Sequence, residues 1–179
     1  NNLLAQVEFR NDSICLDAAC GIGNNIETLL RYFRKIIAFD KSYRVIEFAK
    51  NRHRRYRSTT VSFMVGDLES MLYNDNFFDC VVCTEALEHV SDYDVVIQEI
   101  FRVTKSDGYI ILSFQNHFNL SALLKFLFEK IYKKNWDVWG THGHEEGFES
   151  YLTCFKVKKS IKKTGFILLK EFGADYINA

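Results

Sequence analysis

The sequence contains no proline, so one usual marker of turns and segment boundaries is missing. Nor is there an excess of charge of either sign. Its 23 Lys and Arg balance 23 Asp and Glu, leaving no whole-chain field to steer it to nucleic acid or an anionic membrane. No apolar run reaches the roughly 18 residues that a bilayer-spanning helix needs, and no secretory signal pattern is visible. Five cysteines at irregular spacing exclude a disulfide scaffold and suit a reducing compartment, so a cytoplasmic protein is expected. Cys80 and Cys83 sit in an apolar, strand-like run, which assigns them to core packing rather than to a metal. Repeats, low-complexity tracts and a domain boundary are also missing, so residues 1–179 are expected to form a single domain. Hydrophobic residues make up 47%, enough at this length for a substantial core.

Against these absences one stretch stands out: Ile14-Cys15-Leu16-Asp17-Ala18-Ala19-Cys20-Gly21-Ile22-Gly23-Asn24. An apolar run ends in an acid, two glycines follow one residue apart, and a helix start comes next. This order describes a buried strand, a tight turn and the positive end of a helix. Gly21 and Gly23 lack a Cβ, so a ligand can approach the backbone closely. Asn24 is placed to cap the helix, with Glu27 three positions later as in a capping box.

The same alternation continues. Strands are expected at 13–19, 36–39, 61–65, 77–83, 109–114 and 166–170. Between them, apolar residues recur at helical spacing from 26 to 33, 43 to 51, 92 to 103 and 149 to 163. Ser42, and Ser91 or Asp92, are candidate caps, and Thr164-Gly165 stops the last helix. Strands alternating with short amphipathic helices imply an α/β fold. We expect a doubly wound, mainly parallel Rossmann-like sheet of six or seven strands with helices on both faces.

Three acids follow three successive strands: Asp17, Asp40 and Asp67. Parallel strands bring all three to one edge of the sheet, around the glycine turn. In open α/β sheets ligands bind beyond the carboxyl ends of the strands. A ligand with an amine, a ribose and an adenine has one acid for each.

These residues resemble class I S-adenosylmethionine-dependent methyltransferases, of the small-molecule, ubiquinone-biosynthesis-like type (methyltransferase type 11). The resemblance rests on Leu16-Asp17-Ala18-Ala19-Cys20-Gly21-Ile22-Gly23, Phe39-Asp40, Gly66-Asp67-Leu68 and the run from Phe78 to Val90. Arg102–Tyr109 and Thr164-Gly165-Phe166 add the turns before the fifth and sixth strands. It spans about residues 13–166 and leaves 116–147 outside. It implies S-adenosyl-L-methionine as cofactor, S-adenosyl-L-homocysteine as product and a small-molecule acceptor reacting through oxygen, nitrogen or carbon. Asp17 would then orient the methionine amine, with backbone groups of Ala19, Gly21 and Gly23 lining the methionine part. Asp40 would take the ribose hydroxyls, Asp67 the adenine amine and Leu68 N–H a ring nitrogen. The backbone at Cys83 and Thr84 would pass the sulfonium. His89 and Glu85 are the candidate catalytic bases, although Glu85-x-x-Glu88-His89 equally describes a structural turn. Three departures stand out. Ala19 replaces a usual glycine, Lys41 replaces a usual apolar residue whose packing its stem can supply, and no seventh strand is evident after Gly173.

The segment 116–147 is expected to be a lid or substrate-binding insert. Asn119 opens a helical stripe of Leu120, Leu123, Leu124, Leu127, Phe128, Ile131 and Tyr132. This stripe suits either a lid over an apolar substrate or a surface helix touching lipid. His142 and His144 are read as part of a polar loop that closes over substrate, and no metal is assigned. The basic run at 50–57 is expected at the end of the second helix, on the sheet edge away from the cofactor. The fourth strand's exit lacks the Asn/Asp-Pro-Pro-aromatic signature of base-amine methyltransferases, which also argues against nucleic acid. Two other functions remain open: a nicotinamide-dependent oxidoreductase, whose third glycine is replaced here by Ile26, and a non-catalytic binding module.

Overall fold

The computed structural model describes residues 3–56, 59–115 and 152–171. Five strands form one sheet: β1 (Ile14–Ala18), β2 (Lys35–Asp40), β3 (Val61–Val65), β4 (Phe78–Thr84) and β5 (Thr104–Ser113). Their spatial order is β3-β2-β1-β4-β5, and every pairing is parallel. The order reverses between β1 and β4, so these two neighbours send their chains to opposite sides. The crevice they open at their carboxyl ends is the switch point where α/β sheets bind ligands.

Successive residues of the central strands point to opposite faces, and each face has its own core. Leu16, Ala18, Val81 and Cys83 lie in one apolar cluster; Cys15, Cys80 and Val82 lie in the other. The Cys80-x-x-Cys83 spacing on a strand thus separates the two thiols onto opposite faces of the sheet. Helices α3 (Tyr93–Val103) and α4 (Cys154–Thr164) cover the first face. They contribute Val96, Ile97, Ile100, Val103 and Val157. Helices α1 (Ile26–Leu29) and α2 (Tyr43–Arg52) cover the second, through Ile26, Leu29 and Ile46. Each fully buried Leu, Ile or Phe contributes about 1.5–3 kcal/mol relative to exposure.

Helix boundaries follow local chemistry. The Ser42 hydroxyl accepts the Val45 amide at 3.4 Å. The Asp92 carboxylate accepts those of Asp94 and Val95 at 2.9 and 3.3 Å. Thr153 caps α4 through the Lys156 amide, and Gly165, at φ 90°, ends it in the left-handed conformation. At the amino-terminal ends of the strands Asp79 ties three of them. It accepts the Ile14 amide at 2.8 Å and the Lys105 ammonium at 2.7 Å. Between them β5 bulges: Phe78 pairs with Thr104, and Cys80 next with Tyr109. The Ser106-Asp107-Gly108 break is this bulge, so β5 begins directly where α3 ends.

Three expectations are corrected. Among the described residues the sheet has five strands, not six or seven. Residues 166–170 form no strand, with Ile167, Leu168 and Leu169 83%, 52% and 76% exposed. Strand propensity supplies no ladder without a partner edge; here Phe166 packs on Phe101 and Lys170 donates to Gln6. Second, α1 is short and begins after Asn25, which makes no side-chain cap bond. The proposed capping box is diverted: Asn24 accepts from Arg52 at 2.8 Å and Glu27 from Arg55 at 2.6 Å. Third, those bonds bring the basic run against the glycine turn instead of away from it. A strand after Gly173, the stripe at 119–132 and the His142/His144 loop lie outside the described residues. No helix among the described residues is long and apolar enough to cross a membrane.

Candidate functional site

The carboxyl ends of β1, β2 and β4 converge on the turn after β1. Ala19, Gly21 and Gly23 all have positive φ, at 55°, 53° and 78°. A Cβ on Gly21 would meet nothing within 4 Å, so this backbone borders open space. At Gly23 a Cβ would lie 2.8 Å from His53 Nε2, so glycine is required there by packing as well as by φ. The His53 ring is buried, lies nearly parallel to the rings of Tyr56 and Phe63, and packs against the turn at Gly23. A four-residue α1 carries little macrodipole; the anchoring comes instead from individual bonds. The Cys20 amide donates to the Phe39 carbonyl at 2.8 Å, and Gly23 N–H to the Cys20 carbonyl at 2.9 Å.

Asp40, the last residue of β2, braces this turn. Its Oδ2 accepts Gly21 N–H at 3.0 Å and its Oδ1 accepts Ser42 N–H at 3.0 Å. A carboxylate oxygen accepts at two positions, so each keeps one for a ligand hydroxyl. Asp67 stands beyond β3. Its Oδ1 accepts the Glu69 amide at 3.0 Å, and its Oδ2 lies 3.4 Å from the Lys41 ammonium. Lys41 and Asp67 thus face each other across the end of the sheet, the lysine exposed and the aspartate half-buried. The Leu68 side chain is buried in the first core, which leaves its backbone as the ligand-facing part.

Asp17 is the most unusual group. It is fully buried. Its Oδ1 accepts Asn25 Nδ2 at 3.1 Å, and its Oδ2 has no partner. Burial pushes its carboxyl up to about 7; the Asn25 bond opposes this and nearby Asp40 adds to it. A buried, half-satisfied carboxylate costs free energy unless a cation arrives to pair with it. Cys83, at the end of β4, is wholly buried, and burial raises its thiol to about 12, so it is no nucleophile. Thr84 accepts the second hydrogen of Asn25 Nδ2 at 3.2 Å.

After β4 the chain turns through Glu85, at φ 51°. Its amide donates to the Ser113 carbonyl at 3.0 Å, and its carboxylate accepts the Ser113 hydroxyl at 2.6 Å. A left-handed glutamate held from two sides on a neighbouring strand is local strain of the kind found at functional sites. His89 ends the 3-10 turn Leu87–His89, its amide bonded to the Ala86 carbonyl. Between them Glu88 is buried. Its Oε1 accepts Gln115 N–H at 3.4 Å, its Oε2 has no partner, and burial raises its carboxyl.

The structure therefore joins Asp17, Ala19, Gly21, Gly23 and Asp40 in one turn and sets Thr84 against it through Asn25. Lys41 joins the group through Asp67. Asn25, Glu88 and His53 were not expected. Two adjacent asparagines carry no signal of which one caps and which one bridges, and a buried glutamate reads in sequence as part of a polar turn.

The chain matches the methyltransferase domain family over residues 16–112. It is 27% identical to a demethylmenaquinone methyltransferase of Thermobifida fusca over 124 residues, covering 69% of this chain and 52% of that protein. The crystal structure of the YcgJ protein of Bacillus subtilis superposes with a TM-score of 0.72 at 20% identity, covering 90% of this chain and 65% of that one. Phosphoethanolamine N-methyltransferase 2 of Haemonchus contortus, in complex with S-adenosyl-L-methionine, gives 0.67 at 21%, covering 89% and 34%. The chain spans about half the length of the curated relatives it matches. At these identities the two structures establish the Rossmann-like fold, and the family match spans the whole switch-point site. The chain belongs to the methyltransferase domain family.

Proposed function

We propose that this chain binds S-adenosylmethionine at the β1 turn and transfers its methyl group to a small-molecule acceptor. The observation that carries this is the unpartnered Oδ2 of fully buried Asp17, beside a turn with open space at Gly21. A primary ammonium, as on the methionine end of the cofactor, satisfies that oxygen and its charge together. Asp40 then accepts the ribose hydroxyls on the lone pairs its backbone bonds leave free. Asp67 accepts the adenine amine, and Leu68 N–H reaches the ring. For that, the exposed Lys41 ammonium swings off Asp67 and its aliphatic stem lies along the base.

Bound there, S-adenosylmethionine supplies a methyl group on a positively charged sulfur. The chain's own part is positioning: the backbone at Cys83 and Thr84 flanks the sulfonium, and the braced turn fixes the line of attack. An acceptor that must lose a proton needs a base at the exit of β4. Glu85, set by Ser113, and His89 are the residues assigned to it. The Thermobifida relative is named for a quinone-type substrate, and the leucine-rich sequence of 119–132 suits an apolar acceptor.

Calorimetry with S-adenosylhomocysteine tests the site. The parent protein is expected to bind it and not NAD, and Asp40→Ala and Asp67→Ala each to weaken it about tenfold or more. Unchanged affinity in both variants overturns the assignment. Release of S-adenosylhomocysteine with a panel of quinol, amine and sterol acceptors separates an enzyme from a binding module.

A further inference from the structure

Asn25 matches none of the residues that the family resemblance assigns, yet it makes the only bridge among the described residues between the Asp17 and Thr84 side chains. One hydrogen of its Nδ2 goes to Asp17 Oδ1 at 3.1 Å and the other to Thr84 Oγ1 at 3.2 Å. An ionised carboxylate only accepts, so it is the amide nitrogen, not the oxygen, that faces the ionised Asp17. β1 and β4 are neighbours in the sheet and their ladder ends at Ala18 and Cys83, so Thr84 lies one residue beyond it and the ladder alone does not tie its side chain to Asp17. The amide closes this seam. It fixes the Asp17 plane so that Oδ2 is the atom left over.

We propose that Asn25 is a positioning residue for the amino-acid end of the nucleoside ligand, holding Asp17 and Thr84 in one unit across the β1–β4 seam. This rests on the cofactor reading above and extends it to a residue that touches the ligand only through Asp17. Its position explains why α1 starts without a side-chain cap: the side chain that a capping role would use is committed to the sheet.

The groups around Asp17 give this role a pH signature. Asp40 faces it from β2, the Cys15 thiol from β1, Cys20 from the turn and Cys83 from β4; Glu88 lies behind Cys83. None of these brings a positive charge. The Asn25 amide is the one contact that favours the carboxylate over the acid. The sign follows: a cationic amine binds the ionised carboxylate, so affinity falls as pH drops through about 7 in the parent. Without the amide the fall begins at higher pH.

The test compares two ligands on the full chain: S-adenosylhomocysteine, which has the amino acid, and methylthioadenosine, which lacks it. Affinities are measured from pH 6 to pH 8.5 for the parent, Asn25→Ala and Asn25→Leu, the leucine filling the same volume without donors. Both variants are expected to lose S-adenosylhomocysteine roughly tenfold at neutral pH, the loss of one hydrogen bond to a charged group. The pH midpoint is expected to move up, with methylthioadenosine unchanged within about twofold, a change too small to count as a lost hydrogen bond. Parallel weakening of both ligands, or an unmoved midpoint, overturns the proposal while leaving the site intact. A parent that binds neither ligand overturns the site itself and the proposal with it.

Discussion

Ala19 adopts φ 55°, a conformation that costs a residue with a Cβ about 1–2 kcal/mol. Glycine avoids that cost but loses about 0.5–1 kcal/mol in chain entropy. Ala19→Gly is therefore expected to stabilise the fold by up to about 1.5 kcal/mol, read as a higher urea midpoint with an unchanged slope. An unchanged or lower midpoint means that the Ala19 methyl makes compensating contacts. At this scale the acids were legible, because Asp17, Asp40 and Asp67 each close an apolar run and parallel strands put such endings together. Asn25 was not. Its role depends on a partner 59 residues away, and local spacing carries no record of that. Asn24, chosen as the cap on spacing alone, is held instead by Arg52.

Short α1 leaves the site dependent on loops, and the loop behind Asp67 is pinned from α3. Arg102 donates to the carbonyls of Met71 and Tyr73, to Asp75, and through two nitrogens to Glu99. Glu99 in turn accepts the Met71 amide at 2.7 Å, and the Arg102 bond holds its carboxyl below the usual range. Arg102→Leu leaves these acceptors unmatched. It is expected to cost about 2–4 kcal/mol and to expose residues 69–77 to limited proteolysis before the rest of the domain. Cleavage that begins elsewhere counts against the pin. The cores of β1 to β4 were legible because each is an apolar run ended by a turn residue. The start of β5 was not, since α3 runs into it and the bulge at 105–108 looks in sequence like a loop. The apolar run at 166–170 shows the opposite failure: composition records strand propensity but not whether an edge is there to receive it.

For the whole molecule, the two-sided core and the parallel sheet followed from alternation, whereas the side of the sheet taken by the basic run did not. That placement rests on Arg52 and Arg55 reaching Asn24 and Glu27, pairings between separate segments. Global stability also records the site. The Asp17 carboxyl titrates near 7 in the folded chain, against 3.8 as its ordinary value. The folded state therefore holds this proton more tightly than the unfolded one, and stability falls as pH rises from about 4 to about 7. Asp17→Asn removes that penalty. It is expected to melt higher than the parent at pH 8, by a few kcal/mol at most, with the gap closing toward pH 4, and to lose S-adenosylhomocysteine binding. A variant that melts lower at pH 8 shows that the Asn25 bond to the carboxylate outweighs the cost of burying it.

The placement of β1 between β2 and β4 bears on how the chain is made. At ribosomal speeds of roughly 5–20 residues per second, several seconds separate the emergence of β1 from that of β4. Until Asp79 arrives to accept the Ile14 amide and Thr84 to meet Asn25, the first strand has only one flank covered. A nascent chain halted before residue 78 carries Gly21, Gly23, Asp17, Asp40 and Asp67, yet lacks half the wall that gives them a shape.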